Sequence, residues 1–366
     1  MSLEIESRGL FEDLIAQPLA VALLEAALSQ GRLAPAYLFS GPDGVGRSLA
    51  ALRFLEGVIS SGKPALRERR RLEAFNHPDL LWVEPTYQHQ GRLVPKSQAE
   101  EEGVNRRSPP QVRLEQIRGV TRFLGRRPVE APRGMVVIEA AESMPEAAAN
   151  ALLKTLEEPG HGLLILLSAA SERLLTTIRS RCQQILFARL EAADMQAALA
   201  RTSTAEMGSS LLALEQPERV AMAAGSPGAL LQNFGLWQAV PEEFWLRLEE
   251  RPQKPMEALA LARDLTAALN GEQQLWLIDW WQQHFWIQRP DPTPLKRLER
   301  LRSHLLGFVQ PRLAWEVALL ELIPGAEALA RSPCLFCASL ASLSWRACIS
   351  RSWNPSSCPP VGNSRQ

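Results

Sequence analysis

Cysteine is nearly missing from the first 330 residues, where Cys182 is the single one of the chain's five. That scarcity excludes a disulfide scaffold. An excess of either charge is missing too: 40 Lys and Arg balance 40 Asp and Glu. A protein that grips DNA unaided is usually basic, so any nucleic-acid contact is local or shared with partners. No apolar run has the length of a membrane span. The opening MSLEIESRGL lacks a basic stretch followed by an apolar one, the mark of a secretory signal. The expectation is a cytoplasmic protein without a membrane partner. What is present, 366 residues with 46% hydrophobic and 22% charged, fits a soluble chain of two or three domains.

Helical spacing of Leu19, Leu23, Leu24, Ala27 and Leu28 predicts a helix before Gly31. AYLFS (36–40) reads as a buried strand, followed by a Gly-rich turn and the helical SLAALRFLEGVI. Further strands are expected at DLLWVEP (79–85), GMVVIEA (134–140), GLLILLSAA (162–170) and QQILFARL. Helices are expected at 112–128 and 146–158, and a surface loop at 88–110. Strands alternating with helices imply a parallel sheet covered on both faces. Beyond residue 188 the pattern is helical, with Ser226 an expected N-cap. The basic run RERRR (67–71) reads as a solvated helix face. The Trp and Phe stripe of LWLIDWWQQHFWIQ reads as helix core or a subunit interface rather than base stacking. Residues 331–366 lose periodicity and carry Cys334, Cys337, Cys348 and Cys358, whose second pair is too loosely spaced for a usual zinc site.

GPDGVGRS (41–48) is one residue from a phosphate-binding P-loop, G-x-x-x-x-G-K-[ST]. Gly41, Gly44 and Gly46 permit a loop whose N–H groups cradle phosphates, and Ser48 is a candidate magnesium ligand. Arg47 keeps the charge of the missing lysine but not its shape. On the strand VVI, Glu139 stands where an Asp would organise magnesium, and Ala140 where a carboxylate would activate water. Two losses at the two places hydrolysis needs them describe a degenerate nucleotide site.

Asn150-Ala-Leu-Leu-Lys-Thr-Leu-Glu-Glu-Pro159, followed by Ile178-Arg-Ser-Arg-Cys182, resembles the bacterial clamp-loader AAA+ subunits of the DNA polymerase III holoenzyme. LAPAYLFS (33–40) and His77-Pro-Asp79 add to the likeness, which covers about residues 8–325. The resemblance implies an AAA+ P-loop-like α/β domain at 1–188, a helical lid at 189–234 and an all-α collar for oligomerisation at 235–328. An atypical tail at 329–366 is expected to be disordered. Within the family, motor subunits keep the P-loop lysine, an Asp-Glu pair and a phosphate-sensing arginine where this chain has Gly228. Three departures in one site make the chain similar to the stator-like member with a decayed site.

That resemblance further implies an arginine finger at Arg181, supplied in trans to a neighbour's ATP, with Arg179 a weaker candidate. Implied partners are the tau/gamma and delta subunits and, through the complex, the sliding clamp and primed DNA. No intrinsic ATPase is expected, although the assembly belongs to a DNA-directed DNA polymerase, a nucleotidyltransferase. ATP is not required as a cofactor of this chain, residual ATP binding at 41–48 being the alternative. The zinc module that many relatives carry after the P-loop helix is not expected, because residues 49–76 contain no cysteine. The alternative is an active tau/gamma-like ATPase or another P-loop NTPase.

Overall fold

The computed structural model describes residues 9–89, 91–99, 101–104, 109–158, 160, 162–201, 217–288, 290–307 and 309–323. The tail with its four cysteines lies outside them. The chain forms two compact units, one of residues 1–241 and 269–291, the other of 242–268 and 292–366.

The first unit is built on a five-stranded sheet: β1 (Ala36–Ser40), β2 (Leu80–Val83), β5 (Met135–Ile138), β6 (Leu163–Ser168) and β7 (Gln183–Leu186). All its pairings are parallel, in the order β2-β5-β6-β1-β7. The three inner strands are buried at every residue, whereas β2 and β7 at the edges are partly exposed. Alternation distributes the inner side chains to two apolar layers. Tyr37, Phe39, Val137 and Ile165 pack with Leu24 of α1 (Pro18–Ser29) and Phe54 and Leu55 of α2 (Arg47–Ile59). Leu38, Val136, Ile138 and Leu166 pack with Ile117 and Val120 of α4 (Leu114–Leu124) and Leu152 of α5 (Glu146–Glu157). Continuous apolar strands with helices on both faces are what the sequence predicts, and the P-loop-type sheet with helical regions after it is the fold class the AAA+ resemblance implies.

Three local readings need correction. The loop expected at 88–110 begins inside a hairpin, β3 (Thr86–His89) with β4 (Arg92–Pro95). It was missed because short polar strands on a surface carry no apolar run. Leu19 and Leu23 of α1 face outward, and only Leu24 and Ala20 of the helix are buried. The RERRR run is only partly solvated. It lies on α3 (Leu66–Glu73), where Arg69 pairs with the fully buried Glu56 at 2.8 Å and Arg71 with Glu130 at 2.6 Å. Arg53 of α2 adds bonds to Asp13 and Glu73 at 2.7 Å each, so ion pairs tie α2 to α3 and to the segment before α1.

After α6 (Thr176–Arg179) and α7 (Ala192–Arg201), the first unit holds α8 (Pro217–Ala223), α9 (Pro227–Ala239) and α12 (Gly271–Gln288). Trp280 and Trp281 are fully buried in this unit, Trp280 packing edge-on to Trp237 at 5.6 Å. The aromatic stripe is therefore core. The second unit contains α10 (Glu242–Glu250), α11 (Pro255–Ala268), α13 (Pro292–Leu306) and α14 (Pro311–Leu322). Fully buried Leu261 and Leu265 of α11, Leu298 of α13 and Trp315 of α14 supply its apolar residues, and Arg247 pairs with Asp264 at 3.0 Å. Among the described residues, no helix is long and apolar enough to cross a membrane.

Candidate functional site

Strand β1 lies between β6 and β7, where the sheet order reverses. Ligands of open α/β sheets bind at such switch points, outside the carboxyl ends of the strands. The loop 41–46 leaves the end of β1 there and enters α2, with Gly46 (φ +100) as the helix N-cap. The Gly41 N–H donates to the Ser168 carbonyl at 3.2 Å, fastening the loop's start to β6.

The loop's own carbonyls are taken by the chain. Ser226 Oγ donates to the Asp43 carbonyl at 2.5 Å and accepts from the Ala229 N–H at 3.1 Å, so the N-cap of α9 also clamps the loop. The Gly228 N–H donates to the Gly44 carbonyl at 3.1 Å. Gly44 has φ +74, and a Cβ there would stand 2.5 Å from Ser226 Oγ and 2.7 Å from Gly228 Cα. Only glycine on both sides allows the two backbones to approach this closely. On the other flank, Gln17 Nε2 reaches the Val45 carbonyl at 3.5 Å and the Ala188 carbonyl at 2.8 Å, while its Oε1 accepts from the Ala188 N–H at 2.9 Å. Nothing in the sequence marks Gln17 except that it is polar within an apolar run.

Arg47 is 8% exposed and pairs with Asp43 of its own loop. Its Nε and Nη1 are buried without hydrogen-bond partners among the described residues. Ser48 is exposed on the first turn of α2. Glu139 leaves β5 and accepts the Trp82 indole N–H at 3.0 Å; burial pushes its carboxyl above the usual range, and that hydrogen bond only partly opposes the rise. Ala140 follows in a left-handed conformation, φ +44. Glu142, two residues further on, accepts from the Ala169 N–H at 3.1 Å. The loop, Arg47 and Glu139 are therefore gathered at one end of the sheet. The loop is held against α9, and the cation that replaces the lysine is bound to a carboxylate within the loop.

Arg181 follows α6 and lies on the surface with a side-chain exposure of 37%. Its Nη2 pairs with Glu157 at 2.9 Å and its Nη1 donates to the Thr177 carbonyl at 2.9 Å. Arg179 is half-buried, with its Nε enclosed. Cys182 is packed against the α4 and α5 layer, and burial pushes its thiol up to about 12. His77 and Asp79 prove structural. Asp79 accepts the N–H groups of Val129, Glu130 and Ala131 at 2.7 Å each, and its own N–H donates to His77 Nδ1 at 3.1 Å. Burial would raise the Asp79 carboxyl, but these three donors outweigh it and hold the group below the usual range.

Comparison with known proteins bears on the same elements. A family model described as DNA polymerase III, delta subunit, matches residues 16–191. A second, described as cyanobacterial DNA polymerase III delta prime, C-terminal domain, matches residues 193–322. The DNA polymerase III subunit delta prime of Pseudomonas aeruginosa is 30% identical over 254 residues, 68% of this chain and 69% of that protein. The chain belongs to the DNA polymerase III delta prime family. The Bacillus subtilis delta prime subunit is 31% identical over 181 residues, so the match spans about half of either protein, 48% of each. Among solved structures, a DNA polymerase III gamma subunit-related protein from Thermotoga maritima is similar at 18% identity, with a TM-score of 0.47 over 82% of this chain and 97% of that one. In this chain the SRC string lies at the surface and the P-loop-like turn is bonded to α9.

Proposed function

We propose that this chain is a non-hydrolysing subunit of the DNA polymerase III clamp loader, acting in the cytoplasm beside tau/gamma and delta to place the sliding clamp on primed DNA. The closure of the P-loop carries the reading. Gly228 packs on Gly44, Ser226 bonds the Asp43 carbonyl, and Arg47 is paired inside the loop. A chain built so does not turn over ATP itself and requires neither nucleotide nor zinc. Its contribution to the motor's chemistry is Arg181, an arginine finger offered to the ATP of a neighbouring subunit.

The geometry of Arg181 supports that role. The Arg181–Glu157 pair is solvent-exposed, 37% and 53% by side chain, and exposed pairs contribute only ~0–1 kcal/mol. Releasing the guanidinium to a γ-phosphate therefore costs little. In related phosphoryl-transfer systems a finger contributes ~10³–10⁵ in rate. The test is clamp- and DNA-stimulated ATPase of a reconstituted loader containing the native chain or Arg181→Ala, with assembly verified by size. A loss of well over tenfold with the complex intact is expected. Unchanged turnover overturns the finger.

A further inference from the structure

Strand β2 is an edge strand of the main sheet, and its outward side faces a groove of about 520 Å³. The pairing with β5 fixes which backbone groups face that groove. The Met135 N–H donates to the Asp79 carbonyl and the Glu139 N–H to the Val83 carbonyl. Residues 79, 81 and 83 therefore turn toward β5, and residues 80, 82 and 84 turn outward. Gln116 of α4 confirms the direction, since its Nε2 bonds the outward Glu84 carbonyl at 2.8 Å. The Trp82 N–H and carbonyl and the Glu84 N–H turn to the groove side without a paired strand among the described residues.

The opposite wall is α4. Gln116, Gly119, Arg122, Phe123 and Arg126 line the groove. Gly119 leaves open space, with nothing within 4 Å of the Cβ it lacks. Arg122 and Arg126 are exposed, and among the described residues neither has an ion-pair partner. The acidic lining residue, Glu84, has its carboxylate occupied by the Ser97 N–H at 3.2 Å.

We propose that this groove binds an extended acidic peptide of a partner protein, which adds a strand to β2 and pairs its carboxylates with Arg122 and Arg126. Alternating outward N–H and carbonyl groups match a peptide backbone, which supplies both acceptors and donors. A nucleic-acid phosphate supplies acceptors only and leaves the outward carbonyls unmatched. The two arginines select acidic over basic strands, since opposite charge across an interface sets partner choice.

The probe is a short fluorescent peptide alternating Asp with Val, titrated against the full chain by anisotropy. Arg122→Glu with Arg126→Glu should weaken binding by at least ~10-fold. Gly119→Leu, which fills the groove while replacing a poor helix former, should weaken it comparably with no loss of thermal stability. Backbone N-methylation of the peptide at alternate residues should abolish binding in one register and spare it in the other. Binding insensitive to N-methylation and displaced equally by a poly-dT oligonucleotide would show a phosphate-binding surface and overturn the proposal. Absence of binding by the native chain overturns it equally.

Discussion

Gly228→Ala tests the closed P-loop most directly. A Cβ at Gly228 would stand 2.6 Å from Gly44 Cα and 3.3 Å from the Gly44 carbonyl oxygen. Both contacts are backbone, so no side chain can turn away and the loop or α9 must shift. Overpacking of this kind costs ~1–3 kcal/mol. The opposing effect is helix propensity: alanine is favoured over glycine by ~1 kcal/mol in a helix interior, and less in the first turn where Gly228 lies. The net expectation is a loss of about 1–2 kcal/mol in urea unfolding. Gly44→Ala meets the same contact from the other side and adds the strain of φ +74, a further ~1–2 kcal/mol for a residue with a Cβ. The order of the two variants is thus fixed, Gly44→Ala the worse. Hydrogen exchange at the Gly228 amide, which donates to the Gly44 carbonyl, should accelerate in both. If Gly228→Ala instead stabilises the chain and leaves its amide protection unchanged, α9 does not rest on the loop. The loop is then not closed by α9.

Other expectations rest on single groups. Asp79→Ala should cost about 2–3 kcal/mol, because three N–H donors at 129–131 lose a charged acceptor that is 4% exposed. Since folding lowers the Asp79 carboxyl, its contribution is complete above the ordinary carboxylate range and disappears as pH falls through the lower folded value. Unfolding curves of the native chain should therefore lose stability in acid more steeply than those of Asp79→Asn; parallel curves refute the assignment. Cys182, with its thiol near 12, should hold only ~10⁻⁴ thiolate at pH 8 and be alkylated by iodoacetamide far more slowly folded than denatured. Equal rates, read by mass spectrometry of the Cys182 peptide, contradict its burial.

The sheet was legible because its inner strands are apolar at every position, as in LLILLS of β6, and are bounded by Gly, Pro and polar turns. Ser226 was legible as a cap for the same local reason. The hairpin β3–β4 was not, since TYQH and RLVP alternate too weakly to stand apart from a loop. Nor were the ion pairs of α3, where RERRR gives no hint that Arg69 meets a buried glutamate thirteen positions earlier. For the site, the sequence located the P-loop and the missing carboxylate, both properties of residue type. It could not show the closure, which depends on Gln17, Ser226 and Gly228 meeting the loop from positions up to 184 residues away from it. Long-range backbone contacts leave no periodic trace.

The same physics treats Arg47 and Arg181 differently. Each pairs with a carboxylate of its own chain, Asp43 or Glu157, and Arg47 keeps its Nε and Nη1 without partners among the described residues. Arg47 is 8% exposed, packed beneath a loop that Gly228 and Ser226 hold in place. Moving it means breaking packing as well as its pair with Asp43, whose side chain is itself 85% exposed. Arg181 keeps 37% of its side chain in water, and its pair with Glu157 is worth at most ~1 kcal/mol. An incoming phosphate, with more charge and more acceptor oxygens than one carboxylate, outcompetes Glu157 at the surface. On the proposed reading, in which a neighbour's nucleotide recruits Arg181, Glu157→Gln should make that recruitment easier: loader ATPase containing this variant should equal or exceed the native rate, whereas a fall toward the Arg181→Ala level would mean that Glu157 positions the finger rather than parks it.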